Sequence, residues 1–410
     1  MNVIYNIGIL IYIFIVKLAA PFNSKARLWV NGRKNWEIML KSKINPEDKN
    51  IWIHCASLGE FEQGRPVIEK LKNEKPDYKI ILTFFSPSGY EVCKDYDFAD
   101  YVCYLPADTP GNAAKFIFLV NPSFVIFVKY EFWNNYILKL SRKNIPLYLI
   151  SGIFRPDQYF FKWYGPFFRK VLSAFSLFFV QDNESKDLLT GIGIDNINIT
   201  VAGDTRFDRV VQIAEASLTI PQIKAFRGEE MLFLAGSTWP RDEEIISEYI
   251  NRFPQKMKWV FAPHEIDLHN IERLEKLLTA SVARFSQFSE NKADARVLII
   301  DNIGMLSSAY RYATIAEVGG GFDSGIHNIL EAACWGIPVI FGPDHKIYRE
   351  ATDLIAMGGA KSFRTFREFS ELLDNFLSDM RLYSESAKIA GNYVKQNTGA
   401  TAKIMAQIFP

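Results

Sequence analysis

Several groups of residues in this chain have the types and spacing to do chemistry, and the densest lies between Ala316 and Ala333. There a short apolar run ends at Val318, three glycines follow (Gly319, Gly320, Gly321), and Ile326, Ile329, Leu330 and Ala333 then recur at helical spacing. Strand, Gly-rich turn and helix in that order bring unpaired backbone N–H groups and the positive end of a helix dipole to one point, which suits an anion, phosphate above all. The same residues also suit a tight structural turn, and spacing does not separate the two. The pattern is neither a dinucleotide fingerprint nor a P-loop. Asn328 and Glu331, three apart, share one face of the expected helix and could grip neighbouring hydroxyls such as those of a ribose.

Two carboxylates stand out in the first half. Glu60, in Ser57-Leu58-Gly59-Glu60, follows an apolar run at the start of a helix. It could take the proton of an attacking hydroxyl, or it could simply favour the helix N-terminus, worth about 0.3–1 kcal/mol. Glu131, in Tyr130-Glu131-Phe132-Trp133, follows the run ending at Val128, where a carboxylate is rarely needed for packing. Gly236-Ser237-Thr238 and Ala262-Pro263-His264 close apolar runs of the second half in the same way. Asp95-Tyr96-Asp97 has the form of a metal-binding Asp-x-Asp, but it precedes a strand and has no further ligand near it in sequence. No metal or cofactor is expected.

Apolar runs at 51–55, 80–84, 101–105, 123–128, 146–150, 177–180 and 197–201, then at 231–235, 258–262, 297–300, 315–318 and 338–341, alternate with helical or polar segments. That alternation predicts parallel sheets covered by helices, in two Rossmann-like halves with ligands beyond the strand ends. The expected division is an anchor and basic segment at 1–45, a first domain at 46–204, a second at 205–381, and a last helical stretch at 382–410 packing back on the first domain.

Residues 3–16 are almost wholly apolar, short of the roughly 20 residues of a comfortable membrane span. Lys17, Lys25, Arg27, Arg33, Lys34, Lys41 and Lys43 follow rather than precede them, which predicts an N-terminal anchor with the body in the cytoplasm rather than a cleaved signal. Residues 154–179 hold eleven aromatics, Phe167 among them, beside Arg155, Lys162, Arg169 and Lys170. Part of that set must be core, and part would suit an anionic amphipathic lipid. A net charge of +1 argues against a general nucleic-acid binder, and the four cysteines show neither zinc nor disulfide spacing.

Gly319-Gly320, His327-Asn328, Leu330-Glu331, Pro338-Val339 and Gly342-Pro343, with Ser57-Leu58-Gly59-Glu60 and Glu131-Phe132-Trp133, resemble the motifs of the Kdo transferases, which add 3-deoxy-D-manno-octulosonic acid to a lipid A precursor. The resemblance runs from the anchor to the last helix. It implies a GT-B fold, two Rossmann-like domains facing a central cleft, and an inverting, metal-independent transfer of Kdo from CMP-Kdo in lipopolysaccharide core synthesis, at the cytoplasmic face of the inner membrane and in contact with its lipids. Glu60 would be the catalytic base, with Ser57, Gly59, Glu131 and Arg155 on the acceptor side. Arg206, Ser237, Thr238, Pro263, His264, Gly319, Gly320, Gly321, His327, Asn328 and Glu331 would bind the donor. Three departures stand out: Trp239 replaces the family's His after Ser-Thr, Arg206 replaces a Lys, and Gly325-Ile326 stands where a second Gly-Gly is usual. The rival expectations are a GT-B enzyme using a UDP-sugar and a membrane-bound sugar- or lipid-binding protein without turnover.

Overall fold

The structure, a computed structural model, describes residues 2–217, 219–288, 294–323 and 325–410, without the side chain of Phe167. Ser324 of the Gly-rich stretch and the Phe167 ring of the aromatic stretch therefore lie outside the described residues. The chain forms two units, Met1–Arg209 with Thr398–Pro410, and Val210–Asn397.

The first unit is built on a seven-stranded sheet of β1 (Lys49–Cys55), β2 (Tyr78–Phe84), β3 (Tyr101–Tyr104), β4 (Phe124–Val128), β5 (Leu147–Gly152), β6 (Leu177–Val180) and β7 (Ile199–Val201), in the order β3-β2-β1-β4-β5-β6-β7. All its pairings are parallel. Alternate residues of β1 feed two cores. Ile51, Ile53 and Cys55 pack with Phe61, Val67 and Ile68 on one face, and Trp52 packs with Phe116, Phe127 and Tyr136 on the other. Because helices cover both faces, strands read as continuous apolar runs instead of alternating.

The second unit repeats the plan with β8 (Leu232–Thr238), β9 (Lys258–Pro263), β10 (Val282–Arg284), β11 (Val297–Ile299), β12 (Ile315–Val318), β13 (Val339–Phe341) and β14 (Ala360–Ser362), in the order β10-β11-β9-β8-β12-β13-β14. The strand order switches direction between β1 and β4 in the first sheet and between β8 and β12 in the second. In sheets of this type, ligands bind beyond the carboxyl ends of the strands at that reversal.

Two boundaries differ from those read in the sequence. The first unit runs through Arg209, inside the helix Thr205–Ala216, so Arg206 belongs to it and not to the second. The C-terminal stretch is two helices, not one. Met380–Gln396 belongs to the second unit, Gly399 turns the chain at φ +101, and only Ala400–Ile408 packs on the first unit, through Ile404 and Met405. The Asp208 carboxylate fixes that turn by accepting the N–H groups of Gly399 and Thr401 at 2.6 and 2.7 Å. At the other end, the apolar run forms the helix Asn2–Ala19, long and apolar enough to cross a membrane and with no buried residue, so it is not a core helix.

Candidate active site

In the first unit, Glu60 and Glu131 follow the two strands at the reversal, β1 and β4. Ser57 ends the extended chain at φ −141 and starts the helix Leu58–Glu74; its hydroxyl donates to the Glu60 carboxylate, which stays half-exposed at the sheet's edge beside exposed Gly59. Behind Glu131 stands His54, wholly buried in β1. Its Nε2 accepts the Trp133 indole N–H at 3.1 Å and its Nδ1 meets Thr83 Oγ1 at 2.9 Å. An acceptor Nε2 places the ring proton on Nδ1, so the 3.6 Å between Nε2 and Glu131 Oε2 sets the carboxylate beside the ring without a hydrogen bond between them. Burial raises the Tyr130 phenol above its ordinary pKa, and Arg155, Glu60 and Arg206 lie close enough to act on it. Arg206 is held by Asp204 at 2.7 Å, whereas Arg155 is exposed. Glu62 pairs with Arg65 and Arg209 at 3.6 and 3.5 Å. Asp95 and Asp97 sit between the helix Pro87–Cys93 and β3, at the amino end of the sheet.

In the second unit the corresponding strands are β8 and β12. Ser237 leaves β8 at φ +54, an uncommon conformation for a residue with a side chain, and its hydroxyl has no partner among the described residues. Thr238 is turned inward, and its hydroxyl donates to Glu243 at 2.8 Å, so it is not available to a ligand. The glycines after β12 serve close approach. A Cβ on Gly319 would lie 2.5 Å from the Ser237 carbonyl oxygen, and one on Gly321 would lie 2.7 Å from Gly342.

The expectation of free N–H groups at a helix start is not met there. Gly319 donates to the Gly236 carbonyl at 2.9 Å, Gly320 donates to Asp242 at 3.1 Å, and the helix begins only at Leu330 and ends at Ala333. Asn328 therefore precedes the helix instead of riding on it, because Gly325 turns the chain at φ +86 and residues 325–328 form neither helix nor strand. It still reaches Glu331, its amide donating to Oε1 at 3.2 Å while Ser307 donates to Oε2.

Trp239 fills the place of the missing His. Its indole donates to His327 Nε2 at 3.1 Å and stacks on exposed His264 at 4.8 Å, which stacks in turn on His327 at 4.6 Å. Burial, then the charge of His264, lowers His327 to about 4, so near neutral pH it is uncharged. Pro263 is buried and sets the end of β9.

Sequence reasoning passed over His54, Tyr130, Asp242 and Glu317. Asp242 and Glu317 are both wholly buried, and burial raises Asp242 to about 6 and Glu317 well above the usual carboxylate range. A Glu inside the apolar run before the glycines was the available signal.

Comparison with known proteins agrees with the motifs. Residues 32–209 match the family model described as 3-deoxy-D-manno-octulosonic-acid transferase (kdotransferase). The chain is 28% identical to the 3-deoxy-D-manno-octulosonic acid transferase of Aquifex aeolicus, over 84% of this chain and 92% of that protein. It is 25% identical to the enzyme of the same name from Rickettsia prowazekii, over 94% and 86%. Among solved structures, the UDP-GlcNAc 2-epimerase of Neisseria meningitidis bound to UDP-GlcNAc shares the fold, with a TM-score of 0.62 at 17% identity over 88% of this chain and 99% of that one. With its motifs at the strand ends that carry the two candidate sites, this chain is similar to the Kdo transferases over most of its length, and residues 32–209 match their family model.

Proposed function

We propose that this chain is a Kdo transferase that takes its sugar from CMP-Kdo and passes it, with inversion, to a lipid A precursor at the cytoplasmic face of the inner membrane. The observation that carries the proposal is placement: Glu60 and Glu131 flank the strand-order reversal of the first sheet, and Ser237 and Gly319–Gly321 flank that of the second.

In the reaction, an acceptor hydroxyl oxygen bonds to the anomeric carbon of Kdo, the bond from that carbon to the CMP phosphate oxygen breaks, and CMP leaves with the electron pair. The hydroxyl proton passes to Glu60, whose carboxylate is oriented by the Ser57 hydroxyl. Glu131, beside His54, and exposed Arg155 bind the acceptor. Within the second unit the Ser237 hydroxyl stabilises phosphate charge, the Trp239–His264–His327 stack takes the base, and Asn328 with Glu331 takes the ribose hydroxyls. Exposed Trp163 and Tyr164, beside Lys162, give the acceptor's acyl part an amphipathic surface. The test is mass spectrometry of the lipid after incubation with CMP-Kdo and acceptor. A mass increase of one or more Kdo units is expected, and nucleotide release from UDP-sugars instead would overturn the choice of donor.

A further inference from the structure

The N-terminal helix has two unlike faces. Tyr5, Asn6, Ile9, Ile13 and Val16 are half-buried, a stripe at helical spacing. Ile4, Ile7, Ile11, Phe14, Ile15 and Leu18, on the opposite side, each expose more than half of their surface. The stripe is docked by specific contacts. The Tyr5 hydroxyl donates to Asp108 Oδ2 at 2.6 Å, and the Asn135 amide donates to Asn6 Oδ1 at 2.9 Å. One turn or two further on, the Tyr12 ring meets Trp29 edge-on at 5.8 Å and stacks on Phe85 at 6.1 Å.

Contacts from residue 5 to residue 12, with half-burial continuing to residue 16, occupy about 16 Å of helix at 1.5 Å per residue. A helix held along that length against a folded body cannot also run across a hydrocarbon core about 30 Å thick.

We infer that the helix Asn2–Ala19 lies in the plane of one leaflet, its outer face among acyl chains, and that its docked face holds the loop bearing Glu131 in position. The occupant of the outer face is lipid, because six large apolar side chains point one way and exposed Lys17, Lys25 and Arg27 follow at headgroup level. Arg33 takes no part in headgroup attraction. It is caged by Trp29, Phe85 and Tyr104 and donates to the carbonyls of Leu105, Phe85 and Trp29.

The positioning half follows from Asp108. Besides the Tyr5 hydroxyl, it accepts the N–H groups of Asn135 and Tyr136, both at 3.1 Å, and so caps the helix Asn134–Arg142. That helix continues directly from Trp133, the indole that braces His54 behind Glu131. Tyr5 and Asn6 are thus positioning residues, and this half rests on the reading of Glu131 as an acceptor-side group.

The experiment adds the full chain to the outside of preformed vesicles of phosphatidylethanolamine and phosphatidylglycerol. Asn2→Cys is then labelled with a membrane-impermeant maleimide, and the label is located by peptide mapping. Labelling before detergent that equals that of Ile303→Cys on the body is expected; labelling only after detergent means a crossing helix, and failure of the protein to float with the vesicles means the outer face is not lipid-covered. Either result overturns the inference.

For the second half, Tyr5→Phe with Asn6→Ala should speed hydrogen exchange of the 134–142 amides. It should also lower kcat about tenfold on vesicle-borne acceptor while donor affinity holds, whereas Ile11→Ala on the outer face should leave exchange unchanged. Unchanged exchange in the double variant refutes the positioning role. Labelling and exchange need no turnover, so they stand apart from any failure of the proposed reaction.

Discussion

Both units hang an indole N–H on an imidazole Nε2 at 3.1 Å, Trp133 on His54 in the first and Trp239 on His327 in the second. Depth sets them apart. His54 is wholly buried and its other nitrogen is committed to Thr83, so that ring is a strut and the chemistry lies in the carboxylate beside it. His327 is half-buried, carries no charge near neutral pH, and ends a stack whose middle ring, His264, is exposed. The same hydrogen bond thus supports a strut beside a carboxylate on one side and a flat aromatic platform on the other.

If the contrast is real, variants on the two sides should fail differently. The largest effect is expected from Glu60→Gln, which keeps the shape and removes the base. Turnover should fall about 10²–10⁴-fold with CMP affinity unchanged, and a purified variant with near-normal turnover would remove Glu60 from the mechanism. On the donor side, Glu331→Ala should weaken CMP binding by about 1.5–3 kcal/mol, as for hydrogen bonds to charged groups, and Asn328→Ala by about 0.5–1.5 kcal/mol, as for neutral ones. Calorimetry showing unchanged affinity in both variants would separate these residues from the ribose.

The two indoles sharpen the comparison further. Trp133→Phe leaves the buried His54 Nε2 without a donor, which should cost about 1–3 kcal/mol of stability in a denaturant titration. Trp239→Phe, beside half-exposed rings, should cost less stability and more CMP affinity. Equal stability losses would erase the distinction between strut and platform.

Strands were legible because burial on both faces leaves little but apolar residues in them, and every run read as a strand lies on one. β10 and β14 escaped notice, being three-residue edge strands, with Arg284 in one and Lys361 in the other. Residues at strand ends could be picked out as candidates because chemistry in such sheets belongs there, but their partners could not. Nothing in local spacing says that Thr238 points inward to Glu243, that Asp242 takes the Gly320 N–H, or that Tyr5 reaches Asp108 across 103 residues. The helix after the glycines was overread for a related reason. Ile326 and Ile329 have helical spacing, yet both are buried from a segment that is neither helix nor strand.

The subtlest expected effect tests what lies under the donor loop. Asp242 Oδ1 and both Glu317 carboxylate oxygens are buried without an N–H or O–H partner among the described residues, and the two carboxyls act on each other, so a proton held between them is expected. Glu317 is raised well above the usual range by burial and by Asp242, and Asp242 is raised to about 6, chiefly by burial. Groups raised on folding stabilise most below their unfolded pKa values and lose that contribution as pH rises through the folded ones. His327, lowered to about 4, acts with the opposite sign, costing stability as pH falls from about 6.5 toward 4.

Glu317→Gln isolates the pair, because the amide donates to Asp242 without needing a proton, while the His327 contribution is common to both proteins and cancels. The difference in Tm, variant minus wild type, should be small near pH 4.5 and grow by a few degrees toward pH 8, at about 2–4 °C per kcal/mol for a unit of this size. Calorimetric scans at pH 4.5, 6 and 8 check it. A difference that stays flat with pH would mean that the two carboxyls do not share a proton, and the Gly320 amide would then be held by an Asp242 of ordinary acidity.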